Sequence, residues 1–406
     1  MIELNFCHSN FKNNAMIKVI SFYKLKKQGG ISMKRIVVVL LMVVLMTSLL
    51  SGCSNQNSNE AAGTEQTNKE GNQQETQEVN QQGNESKKAA IVLGVGGLGD
   101  QSYNDLAYQG MKDAESQLGI SFDYAEPKAM AEFEVHLREM ASEGQYVVIV
   151  CVGFEQVDAL SIVADEFPDQ KFAILDGSVE KPNVASFLSK EEEGSFLIGA
   201  LAGLMKLEPE NYGLSDEQIL GFVGALDVPV IRKFHAGFMA GAKYVNPDIQ
   251  VLDDIVGGFS DVTTAKEIAL TMNSKGADII YHAAGGSGMG VFQAAAENDF
   301  IAMGVNSNQN YIDPEHIVAS MLKRIDVAAF TVVKEASEGT LQTGGITELG
   351  LKDEGIGYTI EGTNIKVSSS TIEKVEELKQ KVIDGELLPP LAVESVETFL
   401  SENKAE

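Results

Sequence analysis

Residues 91–110 read IVLGVGGLGDQSYNDLAYQG. An apolar strand (Ile91, Val92, Leu93) runs into a glycine-rich turn (Gly94, Gly96, Gly97, Gly99), and the polar cluster Asp100, Ser102, Tyr103, Asn104 opens a helix. This is a βα unit whose loop lies at the carboxyl end of a strand. Open α/β sheets bind ligands at that edge, because glycines let the backbone approach and the helix N-terminus offers unpaired N–H groups. Gly94, Gly96 and Gly99 also spell G-x-G-x-x-G, the pattern of a dinucleotide site. Against that reading, Asp100 places a carboxylate where a pyrophosphate would sit, and the next acids, Asp123 and Glu126, come later than the usual spacing of about 20 residues.

Outward from this loop, strand and helix alternate. Tyr146 to Val152 (YVVIVCV) is a continuous apolar run of the kind buried parallel strands need, closing on Gly153 and Phe154, and Asp158 to Phe167 has helical spacing. Lys171 to Leu175 is a strand ending at Asp176-Gly177, followed by Val184 to Leu188. Glu191, Glu192 and Glu193 complement the dipole of a small-residue helix over Ser195 to Met205. After polar residues 211–218 a second series begins, with strands at Ile219 to Val223, Gln250 to Val256, Ala277 to His282 and Phe300 to Val305. Its loops carry Phe259-Ser260-Asp261, the run Ala284-Gly285-Gly286-Ser287-Gly288, and Asn306 to Gln309. The length exceeds one ordinary core, so the pattern predicts two doubly wound parallel-sheet α/β lobes. The expected division is 87–210 plus about 318–340 for the first lobe, 211–317 plus about 341–369 for the second, and closing helices over 370–406. His316 to Phe330 is expected to recross the cleft as part of a multi-crossing hinge.

The N-terminal part reads differently. Met33-Lys34-Arg35 precedes an apolar run from Ile36 to Leu50, short for a membrane span, which ends in Leu50-Ser51-Gly52-Cys53. The order of charge, apolar run, small residues and cysteine resembles a bacterial lipobox, which implies a signal peptide over 33–52 and a diacylated Cys53. Residues 1–32 are read as an upstream extension. Residues 54–86 are almost without apolar side chains and are expected to form a disordered tether.

The net charge of −27 argues against nucleic acid as a partner. Cys7, Cys53 and Cys151 stand in unrelated contexts, so no disulfide framework or metal set emerges, and the five histidines show no ligand pairing. There is no G-x-S-x-G, no Walker lysine motif and no evident acid/base pair, so an enzyme reading lacks chemistry, and no cofactor is expected.

Several segments together resemble a known family: VGGLGDQSYNDLAYQGMKDA, FPDQKFAILDG, NVASFLSKEEEGSFLIGALAGLM, VIRKFHAGFMAGAKYVNP, GADIIYHAAGGSGMGVFQAA and IAMGVNSNQ. They are similar to the basic membrane protein family of bacterial lipoproteins, the PnrA-like solute-binding proteins of ABC transporters. The resemblance implies a type I periplasmic-binding fold and a purine nucleoside held between two lobes. Permease and ATPase partners and an extracytoplasmic membrane anchor follow from it. It further implies that Tyr103 stacks on the base with Asn104 beside it, that Asp176 reads the base edge and that Phe259 covers the opposite face. Gly285, Asn306 and Lys323 fall where the family faces the ribose. Gly94, Asn306 and Asn308 stand where the family usually has Asp, and Tyr103 where it more often has Phe. Two other readings stay open at this point: a surface lipoprotein that senses a ligand without importing it, and the dinucleotide-binding enzyme.

Overall fold

A computed structural model describes residues 87–403. The expected upstream extension, signal peptide, lipidated Cys53 and tether lie outside these described residues. Two six-stranded sheets form the frame. The first runs, in spatial order, β11 (Gly345–Leu349), β5 (Val184–Ser189), β4 (Phe172–Leu175), β3 (Tyr146–Val152), β1 (Lys88–Val92) and β2 (Ser121–Ala125), all parallel. The second runs β12 (Ile356–Thr359), β10 (Ile317–Lys323), β9 (Ile301–Gly304), β8 (Ile279–Ala283), β6 (Ile219–Gly224) and β7 (Gln250–Ile255), parallel apart from the β10–β12 pair. The central strands β1, β3 and β4 are almost wholly buried, as strands covered by helices on both faces must be.

In the first lobe α1 (Tyr103–Leu118), α2 (Phe133–Glu143) and α3 (Val157–Glu166) follow β1, β2 and β3. In the second, α5 (Pro229–Val245), α6 (Val262–Ser274) and α7 (Met289–Asn298) follow β6, β7 and β8. The remaining helices depart from the expected division. Helix α4 (Glu191–Met205) belongs with the second lobe, where Phe196, Leu197 and Leu201 join the core that holds Phe222, Phe238 and Tyr281. Glycines cause this: a Cβ on Gly199 would lie 2.0 Å from the Phe238 carbonyl oxygen, and one on Gly241 1.9 Å from that of Phe196. Only glycine lets α4 and α5 pack this closely.

The segment expected to join the first lobe at 318–340 divides. Strand β10 stays in the second sheet, while α8 (Ile325–Glu338) buries Ile325, Ala329 and Val332 in the first-lobe core with Ala107 and Met111 of α1. Likewise 341–369 is split, because β11 pairs with β5 and β12 with β10. The chain therefore crosses between lobes at β5–α4, at β10–α8 and between β11 and β12. The crossings are tied to one another: Lys190 N–H donates to Leu349 O at 2.9 Å, Arg324 N–H to Gly355 O at 2.9 Å, and Leu351 N–H to a Glu193 carboxylate oxygen at 2.8 Å. Helices α9 (Ser369–Ile383) and α10 (Val396–Glu402) close the second lobe, burying Val375, Leu378 and Phe399 against it.

Candidate functional site

The carboxyl ends of the strands of both sheets meet at one cleft, concave and lined by residues of both lobes, where small-molecule sites of such folds lie. Tyr103, Asn104, Asp176, Phe259, Gly285, Asn306 and Lys323 all line it. Tyr103, Asn104 and Asp176 come from first-lobe strand ends, and the other four from the second lobe.

The loop after β1 is held by its own side chains. Asp100 accepts from the N–H groups of Ser102 (2.9 Å), Asn104 (2.9 Å) and Asp105 (3.2 Å), so it caps α1. The donors a pyrophosphate would need are thus already taken by a carboxylate, which is the physical objection to the dinucleotide reading. Asp105 accepts from Gly99 N–H at 2.8 Å and Gln101 N–H at 2.9 Å, and the left-handed φ of 91° at Gly99 makes this turn possible. Burial pushes the Asp100 carboxyl above the usual range, and the three N–H bonds work against that shift.

Asn104 is committed to the loop: its Oδ1 accepts from Gly94 N–H at 2.8 Å and its Nδ2 donates to Asp100 at 3.2 Å. Tyr103 presents its ring to the cleft and donates its hydroxyl to Leu175 O at 3.2 Å. Burial, with the Asp176 carboxylate next, holds that hydroxyl well above its ordinary pKa, so it is a neutral donor.

Asp176 and Lys323 do not stand free, as a base-edge acceptor and a ribose-facing side chain would need to. The Lys323 ammonium pairs with Asp176 and donates to Glu191 at 2.7 Å, with side-chain exposures of 2%, 7% and 2% for Lys323, Asp176 and Glu191. Ser189 Oγ–H donates to the other Asp176 oxygen at 3.2 Å. Burial works to lower the Lys323 pKa, and the two carboxylates outweigh it and hold the pKa above its ordinary value. The same ammonium lies 5.4 Å from the Tyr103 ring centre and 5.6 Å from that of Phe234. This ionic cluster is the cleft floor, and two of Lys323's three protons are spent on it.

On the second lobe, Phe259 packs over the loop after β8: a Cβ on Gly285 would meet its Cδ1 at 3.3 Å. Gly285 has φ of 54°, so glycine serves both the turn and the close approach. Asn306 adopts φ of 67°, which asparagine tolerates better than most residues. Its Nδ2 donates across the cleft to Ser102 Oγ at 2.9 Å, and its Oδ1 is buried without accepting any hydrogen bond. Ser307 Oγ–H (2.7 Å) and Gln309 Nε2–H (3.2 Å) both donate to Gln101 O, so the lobes are latched at this rim. Asn308 is off the cleft, half-buried and donating to Glu361 O at 3.2 Å.

Phe154, Glu155, Val230, Ile231 and Phe234 also line the cleft. The sequence places Phe154 at the end of the apolar run Tyr146 to Val152, and no motif singles out Glu155 or sets Phe234 apart from a core aromatic near a helix start. Among the described residues no group of three or more His, Cys, Asp or Glu could hold a metal ion, and no helix is long and apolar enough to cross a membrane.

Residues 87–389 match the family described as ABC transporter substrate-binding protein PnrA-like. An uncharacterized lipoprotein of Pyrococcus horikoshii is 36% identical over 67% of this chain and 69% of its own length. The ABC transporter nucleoside-binding protein BmpA of Lactococcus lactis is 26% identical over 88% of this chain and 99% of the relative. Among solved structures, an ABC transporter solute-binding protein from Aeropyrum pernix K1 superposes with a TM-score of 0.70 at 30% identity, covering 78% of this chain and 97% of that one. The type I periplasmic-binding architecture is that of such solute-binding proteins. The chain belongs to the Bmp family of PnrA-like ABC transporter substrate-binding proteins, whose members are binding proteins rather than enzymes.

Proposed function

We propose that this chain is the extracytoplasmic, lipid-anchored solute receptor of an ABC importer and that it holds a purine nucleoside, or a close relative, in the cleft between its lobes. One observation carries the ligand class: an aromatic ring from each lobe, Tyr103 and Phe259, lines a cleft whose polar groups sit at its rim and floor. Flat rings stack on such side chains for about 1–3 kcal/mol per base, with little regard to which base. The name of the Lactococcus lactis relative points to the same ligand class, and the names of the Pyrococcus relatives to a lipoprotein. The anchor rests on Cys53 and the residues before it.

Native mass spectrometry of the purified protein, followed by a thermal-shift panel of nucleosides, bases and sugars, tests the ligand. A ligand at 100 times its dissociation constant stabilises by about 2.7 kcal/mol, well within reach of such a panel. Sugars or small acids raising the melting temperature while every nucleoside leaves it unchanged would refute the nucleoside reading.

A further inference from the structure

Among the described residues, Glu155 is the one cleft-lining carboxylate that no neighbouring side chain uses. Asp100 is filled by three N–H groups of its own loop, and Asp176 by Lys323 and Ser189. Glu155 is half-buried on the cleft wall and pairs with no cation among the described residues; a backbone N–H of Val95 faces it, and burial pushes its carboxyl upward. The residue beside it marks the contrast. Gln156 is fully buried and donates to Val92 O at 2.8 Å and Val152 O at 2.9 Å, tying β1 to β3, so the structural work of this turn is done without Glu155.

Its position is specific. A Cβ built on Gly153 would lie 3.9 Å from Glu155 Oε2 and equally 3.9 Å from Tyr103 Cε1, and one on Gly94 would lie 3.6 Å from the same carboxylate oxygen. The two side-chain-free positions, with φ of 105° at Gly153, leave an open corner between the carboxylate and the edge of the tyrosine ring. A flat ring laid on Tyr103 presents its rim to that corner. Apart from the Val95 N–H, the surroundings are acceptors: Asn104 Oδ1 and Val152 O each come within 3.3 Å of the Gly94 Cβ position. A half-buried carboxylate among acceptors, with no cation, selects a partner that brings protons and no negative charge.

Resting on the nucleoside reading, we propose that Glu155 is the specificity-determining carboxylate of the cleft, accepting hydrogen bonds from N–H donors on the rim of the stacked base and rejecting bases ionised there. The role the sequence suggested for Asp176 thereby moves to Glu155, and Asp176 becomes a partner that positions Lys323.

Calorimetric titration of wild type, Glu155→Gln and Glu155→Ala tests this with guanosine, inosine and adenosine, which carry rim donors. Purine riboside lacks them, and xanthosine has a base ionised at neutral pH. Hydrogen bonds to a charged group predict that wild type prefers its best donor nucleoside over purine riboside by roughly tenfold or more, with xanthosine weaker still. Glu155→Gln and Glu155→Ala should erase most of that preference while leaving purine riboside within about threefold and the melting temperature nearly unchanged, because no side-chain partner is lost. Unchanged affinities in Glu155→Gln, or an equal loss for donor nucleosides and purine riboside, would overturn the Glu155 assignment alone. Wild type binding no nucleoside at all would overturn the nucleoside reading together with it.

Discussion

The floor and the rim of the cleft are built from different interactions. At the floor, Lys323, Asp176 and Glu191 are buried charges compensated in place, with Lys233 donating to Glu191 at 3.2 Å from α5. At the rim, Asn306, Ser307 and Gln309 reach across by neutral hydrogen bonds to Ser102 and Gln101, and Asn306 Oδ1 and Glu155 keep acceptor capacity unspent. Compensated charges fix geometry and offer little to a ligand, whereas unspent acceptors invite one. The division therefore assigns stability to the floor and recognition to the rim, and it can be broken by variants whose two effects trade places.

The largest effect belongs to Lys323→Met. Removing one partner of a buried cluster strands the others, which costs about 3–5 kcal/mol. The variant should melt at least several degrees lower by calorimetry; an unchanged melting temperature would mean that Asp176 and Glu191 are not dependent on this cation. Glu192, next to the floor, is the exception that sharpens the comparison. Burial raises its carboxyl to about 7, Lys233 at 3.9 Å only partly opposing this, and its Oε2 has no hydrogen-bond partner. A raised folded-state pKa means that its favourable contribution is fully present below the ordinary carboxyl pKa and is lost as pH rises through about 7. Relative to wild type, Glu192→Gln should be on the order of 2–3 kcal/mol more stable above pH 7, the advantage shrinking toward pH 4.5. Melting curves of the two proteins that stay parallel from pH 4.5 to 8 would rule this out.

Between floor and rim, the face of the Tyr103 ring should matter to affinity and its hydroxyl to stability. Tyr103→Ala is expected to weaken nucleoside binding at least tenfold, about 1.4 kcal/mol. Tyr103→Phe keeps the ring and loses the hydroxyl's bond to Leu175 O and its contact with Asp176, so it should cost about 0.5–1.5 kcal/mol of stability and little affinity. If the phenylalanine variant loses binding as severely as the alanine variant, the hydroxyl and not the ring face is what the ligand needs.

Much of this cleft was legible in the sequence because strand ends of doubly wound sheets are where ligands go: Asp176, Gly285 and Asn306 directly follow an apolar run, and Tyr103 opens the helix after the glycine-rich loop that ends one. What hid was anything decided by partners distant in sequence. Helix α4 reads as the end of the first βα series, and only its glycine-mediated contact with α5 moves it to the second lobe. Strand β11 could have paired in either sheet, since residues 345–349 carry little pattern of their own. Asp176 and Lys323 each look available until the fold brings them together. Glu155 sits in GFEQVDA, where a carboxylate before a helix reads as a favourable first-turn charge, so nothing local separates it from Asp158.

The smallest predicted effect tests the latch itself. Asn306 combines a strained backbone, φ of 67°, with a bond to Ser102 Oγ that exists only when the lobes meet. Alanine would confound these, adding left-handed strain of about 1–2 kcal/mol while deleting the amide. Asn306→Gly separates them, because glycine adopts this φ freely and carries no side chain across the gap. The closed state then loses one neutral hydrogen bond, about 1 kcal/mol, while each lobe alone loses nothing. Ligand dissociation should accelerate about fivefold in stopped-flow measurements, and the ligand-dependent compaction seen by small-angle scattering should be smaller at equal ligand. The melting temperature of the unliganded protein should stay the same or rise slightly. A large drop in that melting temperature with unaltered dissociation would place Asn306 with the floor residues and break the division between the two regions.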